Sequence, residues 1–532
     1  MKNTFTFLII VCSFLLNTQD VLSQPVTLTS SNLPIIVINT NNNAAIVNDP
    51  KVDAHMGIIS NTNGINRISD AFNDFDGKIG IELHGNSTQN FSKKPYTLET
   101  RDATGNNLDV SLLGMPAEND WILLASYIDR TLIRDALAHY ISESTGEWTS
   151  HTRYCELLVN GSYMGVYILI EKIKRTKNRL NISKLTTLDN TGENLTGGYI
   201  YEVTGFSGGV GDFDQHRVIN YPKEDEVTTE QLNYIRNYDS DFRNVIFSPS
   251  YTDADNGYEK YINVNSFVNE LITQEAMRNS DAYGWSAYFH KDRNNKLDAG
   301  PAWDFDQSSG NSTYKNGASA SGWIFTDNDG YIPLFWSRLW SDARFKYRVK
   351  LKWEELRANK LSTANIYKYI DSCALLLNQA QSRNFTQWPI LGVYLWRETA
   401  GYQTRNTYQK EVTYLKEYMA MRMTWIDNEL KKVAVVALGT DNLIAGAHFV
   451  KLYPNPATDY LVIDTGEENA VVEKIQIYNI TGVLVQNDCI TSANNSILNI
   501  KLNSGLKNGF YHLKLYTNAN QWYNGNFVIG GK

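Results

Sequence analysis

The sequence predicts an α+β protein with a two-lobed domain followed by a small all-β sandwich. Three observations lead to this prediction. Residues 30–205 contain β-rich runs bounded by Asn and Gly turns, residues 228–435 show helical apolar periodicity, and residues 449–532 return to short strands. A strand-rich half followed by a helix-rich half is typical of two lobes with a cleft between them. We assign 33–432 to the two-lobed domain, 433–447 to a weakly structured linker and 448–532 to the sandwich.

The N-terminus reads as an export signal rather than as part of the fold. Lys2 is followed by an apolar run at 5–16, and small or modest residues precede Gln24. This pattern predicts a signal peptide at 1–23 and therefore secretion. The apolar run is too short to span a bilayer, and no later stretch of the chain is apolar enough. We therefore expect no transmembrane segment in the mature chain.

Charge and composition limit the classes of function. Lys and Arg number 49 against 57 Asp and Glu in 532 residues, which gives a net charge of −8. A nucleic-acid binder would be expected to carry a basic excess, so we predict no nucleic-acid partner. Of the four cysteines, Cys155, Cys373 and Cys489 follow the signal peptide. Three are too few for a disulfide framework, so apolar burial must hold the cores together.

The elements of the first domain follow from local patterning. Strands are predicted at 35–38, 79–83, 96–98 and within 156–170, with one helix at 131–144. Further helices are predicted at 229–238, 264–277, 343–356, 365–381 and 407–430. In the last region, turn residues separate the strands predicted at 460–463, 474–478, 483–485, 497–502, 510–516 and 522–529.

One segment carries an arrangement of carboxylates that points to chemistry. Asp281 follows a predicted helix, strands at 287–291 and 297–303 form a predicted hairpin, and Asp304 and Asp306 leave its second strand. Two residues apart in an extended chain, Asp304 and Asp306 should point the same way. Protein kinases place a catalytic-loop Asp opposite a metal-binding Asp with this order of elements. A hard ion such as Mg²⁺ takes carboxylate oxygens, and a separate carboxylate must receive the acceptor proton.

A partner for nucleotide phosphates is expected from the strand-rich half. A turn of small residues that includes Ser87 precedes Lys93 and Lys94 at the head of the next predicted strand. Such a turn lets backbone N–H groups approach phosphate, and a neighbouring lysine can reach it. Lys94 shares a face with Tyr96 and Leu98, so we expect Lys94 to be the more inward of the pair.

Four ordered blocks resemble a known family. They are Gly-Asn-Ser at 85–87 with Lys-Lys-Pro-Tyr at 93–96, Trp-Ile-Leu-Leu at 121–124 with Asp-Arg-Thr-Leu-Ile-Arg at 129–134, the run at 161–171, and Trp-Asp-Phe-Asp at 303–306 with Gly310. In order and spacing they are similar to the spore coat protein H (CotH) kinase family over about residues 33–430. The resemblance implies a secreted, atypical protein-kinase-like fold. It also implies binding of ATP with Mg²⁺ or Mn²⁺ and phosphorylation of Ser or Thr in an extracytoplasmic protein.

The resemblance assigns roles to individual residues. Asp281 matches the catalytic Asp and Asp304 the metal Asp, with Asp306 in the same motif. Lys94 matches the strand lysine, beside Lys93 and Ser87, and Glu171 an acid near the nucleotide. Two departures are that His84 replaces an Arg, and that Ser286 stands where the family often has a metal-ligating Asn.

The second departure leaves an alternative function open. The Ser286 hydroxyl can coordinate Mg²⁺, but more weakly than the amide oxygen of Asn. A catalytically degraded relative that serves as a surface binding or adhesion protein is therefore the alternative. A metal-dependent hydrolase using the same carboxylates is a third option.

The C-terminal region resembles a secretion module. Leu-Tyr-Pro-Asn-Pro-Ala at 452–457, Ile-Tyr-Asn-Ile-Thr-Gly at 477–482 and Gly-Phe-Tyr-His-Leu at 509–513 look like the C-terminal sorting domain of the type IX (Por) secretion system. The resemblance implies a Bacteroidetes-type exporter, with the type IX machinery as a partner. It places the product outside the cell or on its surface, by way of the periplasm and outer membrane. A carbohydrate-binding sandwich is the alternative for this region.

Overall fold

The computed structural model describes residues 26–204, 212–214, 217–327, 332–436, 448–465, 472–479, 483–489, 497–517 and 522–530. The predicted signal peptide at 1–23 and most of the predicted linker, 437–447, lie outside the described residues. The chain is a mixture of helix and sheet with an all-β region at its C-terminal end, as predicted. It divides into two compact units, Met1–Val436 and Ala437–Lys532.

The first unit begins with a closed barrel. The barrel strands run in the order β2, β3, β5, β6, β7, β9 and β8, and the short strands β1 and β4 pair beside it. Their bounds are β1 Ser30–Ser31, β2 Ile35–Thr40, β3 Val52–Ile59, β4 Asn66–Arg67, β5 Phe75–Leu83, β6 Tyr96–Arg101, β7 Asp120–Leu124, β8 Thr152–Val159 and β9 Ser162–Glu171. Alternate side chains such as Ile36, Ile38 and Leu98 fill the interior, as period-two patterning requires.

The first helix starts later than its apolar pattern predicts. Helix α1 spans Arg134–Thr145, whereas the sequence predicts 131–144. The Asp129 carboxylate accepts hydrogen bonds from the backbone N–H groups of Thr131, Ile133 and Arg134. This side-chain-capped turn, with Leu132 at a positive φ of 58°, occupies the residues where the first helical turn is predicted.

The rest of the first unit is a second sheet with helices around one large apolar core. The sheet has the order β11, β12, β10, β13, β14. The strands are β10 Tyr199–Val203, β11 Asp212–Asp214, β12 Arg217–Tyr221, β13 Ala287–Lys291 and β14 Leu297–Ala299. The helices are α2 Thr229–Ile246, α3 Val264–Met277, α4 Phe335–Ser341, α5 Ala343–Ala358, α6 Thr363–Gln387 and α7 Tyr408–Lys431. Helix α3 has the predicted bounds. The Asn263 side chain caps its start, and Arg278 in the left-handed region (φ 45°) ends it.

The hairpin after α3 is shorter than predicted. Strand β14 ends at Ala299 instead of reaching 303, because Gly300 has a φ of 100° and Pro301 has no N–H to donate to a ladder. Asp304 itself has a φ of 65°, so the chain is not extended between Asp304 and Asp306. The prediction that these two side chains leave a strand in alternation is therefore wrong.

The second unit consists of two sheets that share an apolar core. One sheet has the order β15, β22, β21, β18, β19 and the other β16, β17, β20. The strands are β15 His448–Phe449, β16 Lys451–Tyr453, β17 Tyr460–Asp464, β18 Val472–Asn479, β19 Leu484–Cys489, β20 Ile497–Lys501, β21 Gly509–Thr517 and β22 Trp522–Ile529. Ile463, Ile475 and Leu513 are fully buried in this core. Each of the six strands predicted for this region has a counterpart in the structure.

Among the described residues, no helix has the length and apolar character needed to span a membrane.

Candidate active site

A cavity of about 670 Å³ brings together segments that are far apart in the chain. It is lined by the loop between β5 and β6, by residues 124–128 at the end of β7, by residues of α1, by the ends of β9 and β10, by residues between Asp281 and Gln307, and by Trp396 and Arg397. This volume lies within the range of about 300–1,000 Å³ that is typical of small-ligand sites. The predicted residues Ser87, Lys93, Asp281, Ser286, Asp304 and Asp306 all line it.

Asp281 is held at the cavity by side chains on either side of the hairpin. The Asn279 Oδ1 accepts from the Asp281 backbone N–H at 3.2 Å, and the Asn279 amide donates to the Asp304 carbonyl at 2.9 Å. One side chain therefore connects the segments that carry the two acids. The Gln307 amide donates to Asp281 Oδ2 at 2.8 Å, and Arg397 Nη1 lies 3.6 Å from Asp281 Oδ1.

Asp304 and Asp306 belong to a group of acids that repel one another. Ser286 Oγ donates to Asp304 Oδ2 at 3.2 Å. Enclosure by protein raises the pKa of Asp304, and nearby Glu202 adds to the rise. The pKa of Asp306 is raised well above its usual range by burial, then by Asp304 and Asp135. A cation bound among these carboxylates would stabilise their ionised forms.

Asp135 is a further member of this group. It lies in the first turn of α1, and its Oδ1 accepts from the backbone N–H of Phe305 at 3.0 Å. Burial, followed by the charge of Asp304, raises the pKa of Asp135 to about 7. The side chain therefore fixes the turn between Asp304 and Asp306 and adds to the negative potential of the cavity.

The loop between β5 and β6 has a tight glycine turn and exposes a serine towards the cavity. Gly85 has a φ of 76°, and a Cβ there would lie 2.3 Å from Thr88 Oγ1, so glycine is required. Ser87, at the start of a 3₁₀ turn, is exposed on the cavity side of this loop. The Lys94 ammonium donates to the Gln89 carbonyl at 2.6 Å, which closes the loop on itself.

The relative burial of the two lysines is the reverse of the prediction. Lys93 is 1% exposed, whereas Lys94 is half-buried and does not appear among the cavity-lining residues. The Lys93 ammonium donates to the Val166 carbonyl and to Asn384 Oδ1 and lies 4.6 Å from the centre of the Tyr167 ring. Burial lowers the pKa of Lys93 to about 7. The prediction assumed that the strand alternation includes both lysines. Both precede β6, which begins at Tyr96, so the alternation of side chains along that strand does not determine which lysine is buried.

Glu171 and His84 have different surroundings. The Glu171 carboxylate is fully buried, accepts from His151 Nδ1 at 2.8 Å and lies 3.9 Å from Arg179. It is not among the cavity-lining side chains of the described residues. His84 does line the cavity, and burial lowers its pKa to about 4, so the ring is neutral at pH 7.

The acids of the cavity bear on whether it could hold a metal ion. Within the described ranges, no three His, Cys, Asp or Glu side chains are arranged to hold a metal ion by themselves. Ions such as Mg²⁺ that act on nucleotides are usually bound by one or two carboxylates, with phosphate oxygens and water as the other ligands. Asp304, Asp306 and Ser286 all line the cavity and carry oxygen donors of the type that such an ion takes, with Ser286 Oγ 3.2 Å from Asp304 Oδ2.

Comparison with protein families gives the identity of the first unit. The family model described as CotH kinase protein matches residues 81–426. The chain belongs to the CotH kinase protein family. A second model, described as the secretion system C-terminal sorting domain, matches residues 451–529 and indicates a secreted or cell-surface protein exported by the type IX system. No curated protein matches this sequence.

The cavity of this CotH protein also contains residues that sequence reasoning missed: Asp135, Glu202, Gln307, Trp396 and Arg397. Asp135 directly follows the 129–134 block, so its position in that motif could have drawn attention. Glu202 reaches the cavity because β10 pairs with β13, where Glu202 lies opposite Tyr288. Trp396 and Arg397 lie outside every motif, and no local signal marks them.

Proposed function

We propose that this chain is a secreted, ATP-dependent phosphotransferase that moves the γ-phosphate to Ser or Thr of an extracytoplasmic protein. The observation that carries the proposal is the shared cavity, in which Asp281, Asp304 and Asp306 meet the Ser87 loop. The proposed architecture is two-lobed and kinase-like, with the barrel as one lobe and the helical region as the other. The family match supports nucleotide-dependent phosphotransfer in general.

Asp281 is the proposed general base. Gln307 and Arg397 orient its carboxylate from the side, and the residue lines the cavity where an acceptor hydroxyl could approach. In the proposed reaction the acceptor oxygen forms a bond to the γ-phosphorus while its proton passes to Asp281. The bond from phosphorus to the bridging oxygen breaks, and ADP leaves with the electron pair. Catalysis of this kind depends mainly on positioning and on stabilisation of charge.

Asp304 and Asp306, with Ser286, would hold Mg²⁺ or Mn²⁺. When bound, such an ion would neutralise charge on the phosphate oxygens. The raised pKa values of both carboxylates support this role, because a bound cation would stabilise the ionised forms that burial and the neighbouring acids disfavour. Asp135 would hold the turn that presents them, through its hydrogen bond to Phe305 N–H.

The phosphates would be received by the loop that contains Ser87. Its exposed side chain and the glycine turn before it suit close approach of an anion. Lys93 lines the same cavity and would supply positive charge in its protonated form, whereas Lys94 would act by bracing the loop at Gln89. Glu171 would act from outside the cavity, by fixing the end of β9 through His151 and Arg179.

The proposal is tested first by binding. ATP with Mg²⁺ or Mn²⁺ should raise the melting temperature of the full chain, because a ligand that binds only the native state stabilises it. Transfer of labelled γ-phosphate to the chain itself or to an added protein should then be detectable and should require the metal. Both D304A and D281N should abolish transfer with little change in melting temperature. Asp225→Ala, at an exposed position outside the cavity, is the matched control. Transfer that survives both active-site changes would disprove the mechanism.

The second candidate function is a non-catalytic surface binding or adhesion protein. Ser286 favours it, because a hydroxyl at this position is a weaker metal ligand than an amide oxygen. In that case, millimolar nucleotide with metal should leave the melting temperature unchanged. A Ser286→Asn variant that gains nucleotide stabilisation would locate the defect at this residue.

A further inference from the structure

Arg397 is held at the cavity by contacts on several sides. Its guanidinium lies 4.0 Å from the ring centre of Tyr314 and 4.0 Å from that of Trp396. Its Nη1 donates to Gln307 Oε1 at 2.9 Å and lies 3.6 Å from Asp281 Oδ1. Contacts with two aromatic rings leave this side chain little rotational freedom, so its edge stays directed towards Asp281.

The backbone at Arg397 is also unusual. Its φ is 59°, in the left-handed region that residues with a Cβ seldom occupy. The carbonyl of Arg397 accepts from the Thr313 backbone N–H at 2.8 Å and from Thr313 Oγ1 at 3.2 Å, which holds the chain in this conformation. Non-glycine residues kept in sparsely populated backbone regions occur preferentially at functional sites.

A buried arginine fixes the segment that carries Arg397. Arg130 is 1% exposed, and its Nε donates to the Ile390 carbonyl at 2.8 Å. It also donates to the Val393 carbonyl and pairs with Glu398 at 2.6 Å. These contacts lie on both sides of Arg397 in the chain, so the segment is anchored to the residues just before α1.

The cavity has few cations to balance its acids. Among the described residues that line it, the potential cations are His84, His139, Lys93 and Arg397. Burial lowers the pKa of both His84 and His139 to about 4, so both rings are neutral at pH 7. The Lys93 ammonium is engaged by Val166 and Asn384. The Arg397 side chain is 27% exposed. Its Nη1 donates to Gln307 Oε1, and among the described residues its Nε and Nη2 make no hydrogen bond. It therefore has N–H donors available beside Asp281.

We propose that Arg397 is a catalytic residue that contacts the phosphoryl group in transit. This inference rests on the proposed function. As the acceptor oxygen bonds to phosphorus and its proton passes to Asp281, negative charge builds on the equatorial phosphoryl oxygens. The guanidinium fork can donate two N–H groups to such oxygens, and arginines in this role contribute large rate factors. Trp396 and Tyr314 keep the fork in place, so little reorganisation accompanies the step.

The test compares ATP with ADP, because only ATP carries the group that Arg397 would contact. In the full-length wild-type chain with Mg²⁺, ATP should stabilise more than ADP. R397A should lose this preference while its response to ADP stays the same, and its phosphate transfer should fall by about 100-fold or more. R397K should recover part of the preference for ATP and part of the transfer rate, since lysine retains the positive charge but lacks the two-pronged guanidinium. Arg67→Ala, at an exposed position outside the cavity, is the matched control.

The outcomes separate this inference from the proposal on which it rests. If the wild type responds to nucleotide and transfers phosphate, but R397A keeps the preference for ATP and loses less than about threefold in rate, only the role of Arg397 is overturned. If the wild type shows no response to either nucleotide, both are overturned. If R397A does not fold, R397Q replaces it: loss of the ATP preference supports the role, and full retention overturns it.

Discussion

Replacing Lys93 with methionine should change how the stability of the first unit depends on pH. Lys93 is 1% exposed, and burial lowers its pKa from 10.5 to about 7. Between these values the unfolded chain binds a proton at this side chain and the folded chain does not, so wild-type stability rises as the pH rises. The complete effect is about 5 kcal/mol, of which roughly 3 kcal/mol falls between about pH 7 and about pH 9. Below about pH 7 both states are protonated and the contribution is constant.

The assay is urea unfolding of wild type and K93M at several pH values, followed by tryptophan fluorescence. Trp522 is the only tryptophan beyond residue 436, so the signal reports mainly on the first unit. The free energy of unfolding of K93M minus that of wild type should fall as the pH rises above about 7. Lys94→Met is the control for loss of a lysine at the adjacent position. A difference that does not vary with pH, or that varies equally in both variants, would refute the reasoning.

Two further predictions concern stability. Gly165 has a φ of 100°, and a Cβ there would lie 2.5 Å from Asn384 Oδ1, so G165A should cost about 2–4 kcal/mol. G161A is the comparison: Gly161 has a φ of 76°, but nothing lies within 4 Å of an added Cβ, so this change should cost about 1–2 kcal/mol. Equal losses in melting temperature for G165A and G161A would contradict the argument that the contact with Asn384 adds to the cost. Glu275 pairs with buried Arg422 at 2.8 Å, so E275Q should cost about 3–5 kcal/mol in urea unfolding. The double variant E275Q/R422M should lose less unfolding free energy than E275Q alone, because it has no unpaired buried charge. A larger loss in the double variant would show that an unpaired Arg422 is not the cause of the E275Q effect.

Local patterns were sufficient for much of the secondary structure. Helix α3 has its predicted bounds because a capping Asn precedes an apolar run and the chain turns into the left-handed region at its end. The hairpin was predicted from its two β-rich runs, yet its second strand ends early at Gly300 and Pro301. Element type follows from periodicity, whereas element ends depend on single residues that break a ladder or compete for a cap.

Part of the candidate site was also accessible from motifs. Order and residue type predict Asp281, Asp304, Asp306 and Ser87, the family resemblance adds Ser286, and all of them line one cavity. The lysines show where this reasoning stops. Both lie before β6, so the burial of Lys93 is decided by the carbonyl of Val166 and the side chain of Asn384, which come from distant elements.

By itself, the sequence determined the family, the sorting domain and the mixed helix and sheet content, because each follows from ordered motifs or from local periodicity. Only the tertiary structure decided which charges share a cavity. Asp135 and Arg397 come from segments more than 200 residues apart, and Arg130 and Arg397 are brought to the same region by contacts between those segments. Burial, pKa and electrostatic partners depend on such distances in space, and no pattern of neighbouring residues encodes them.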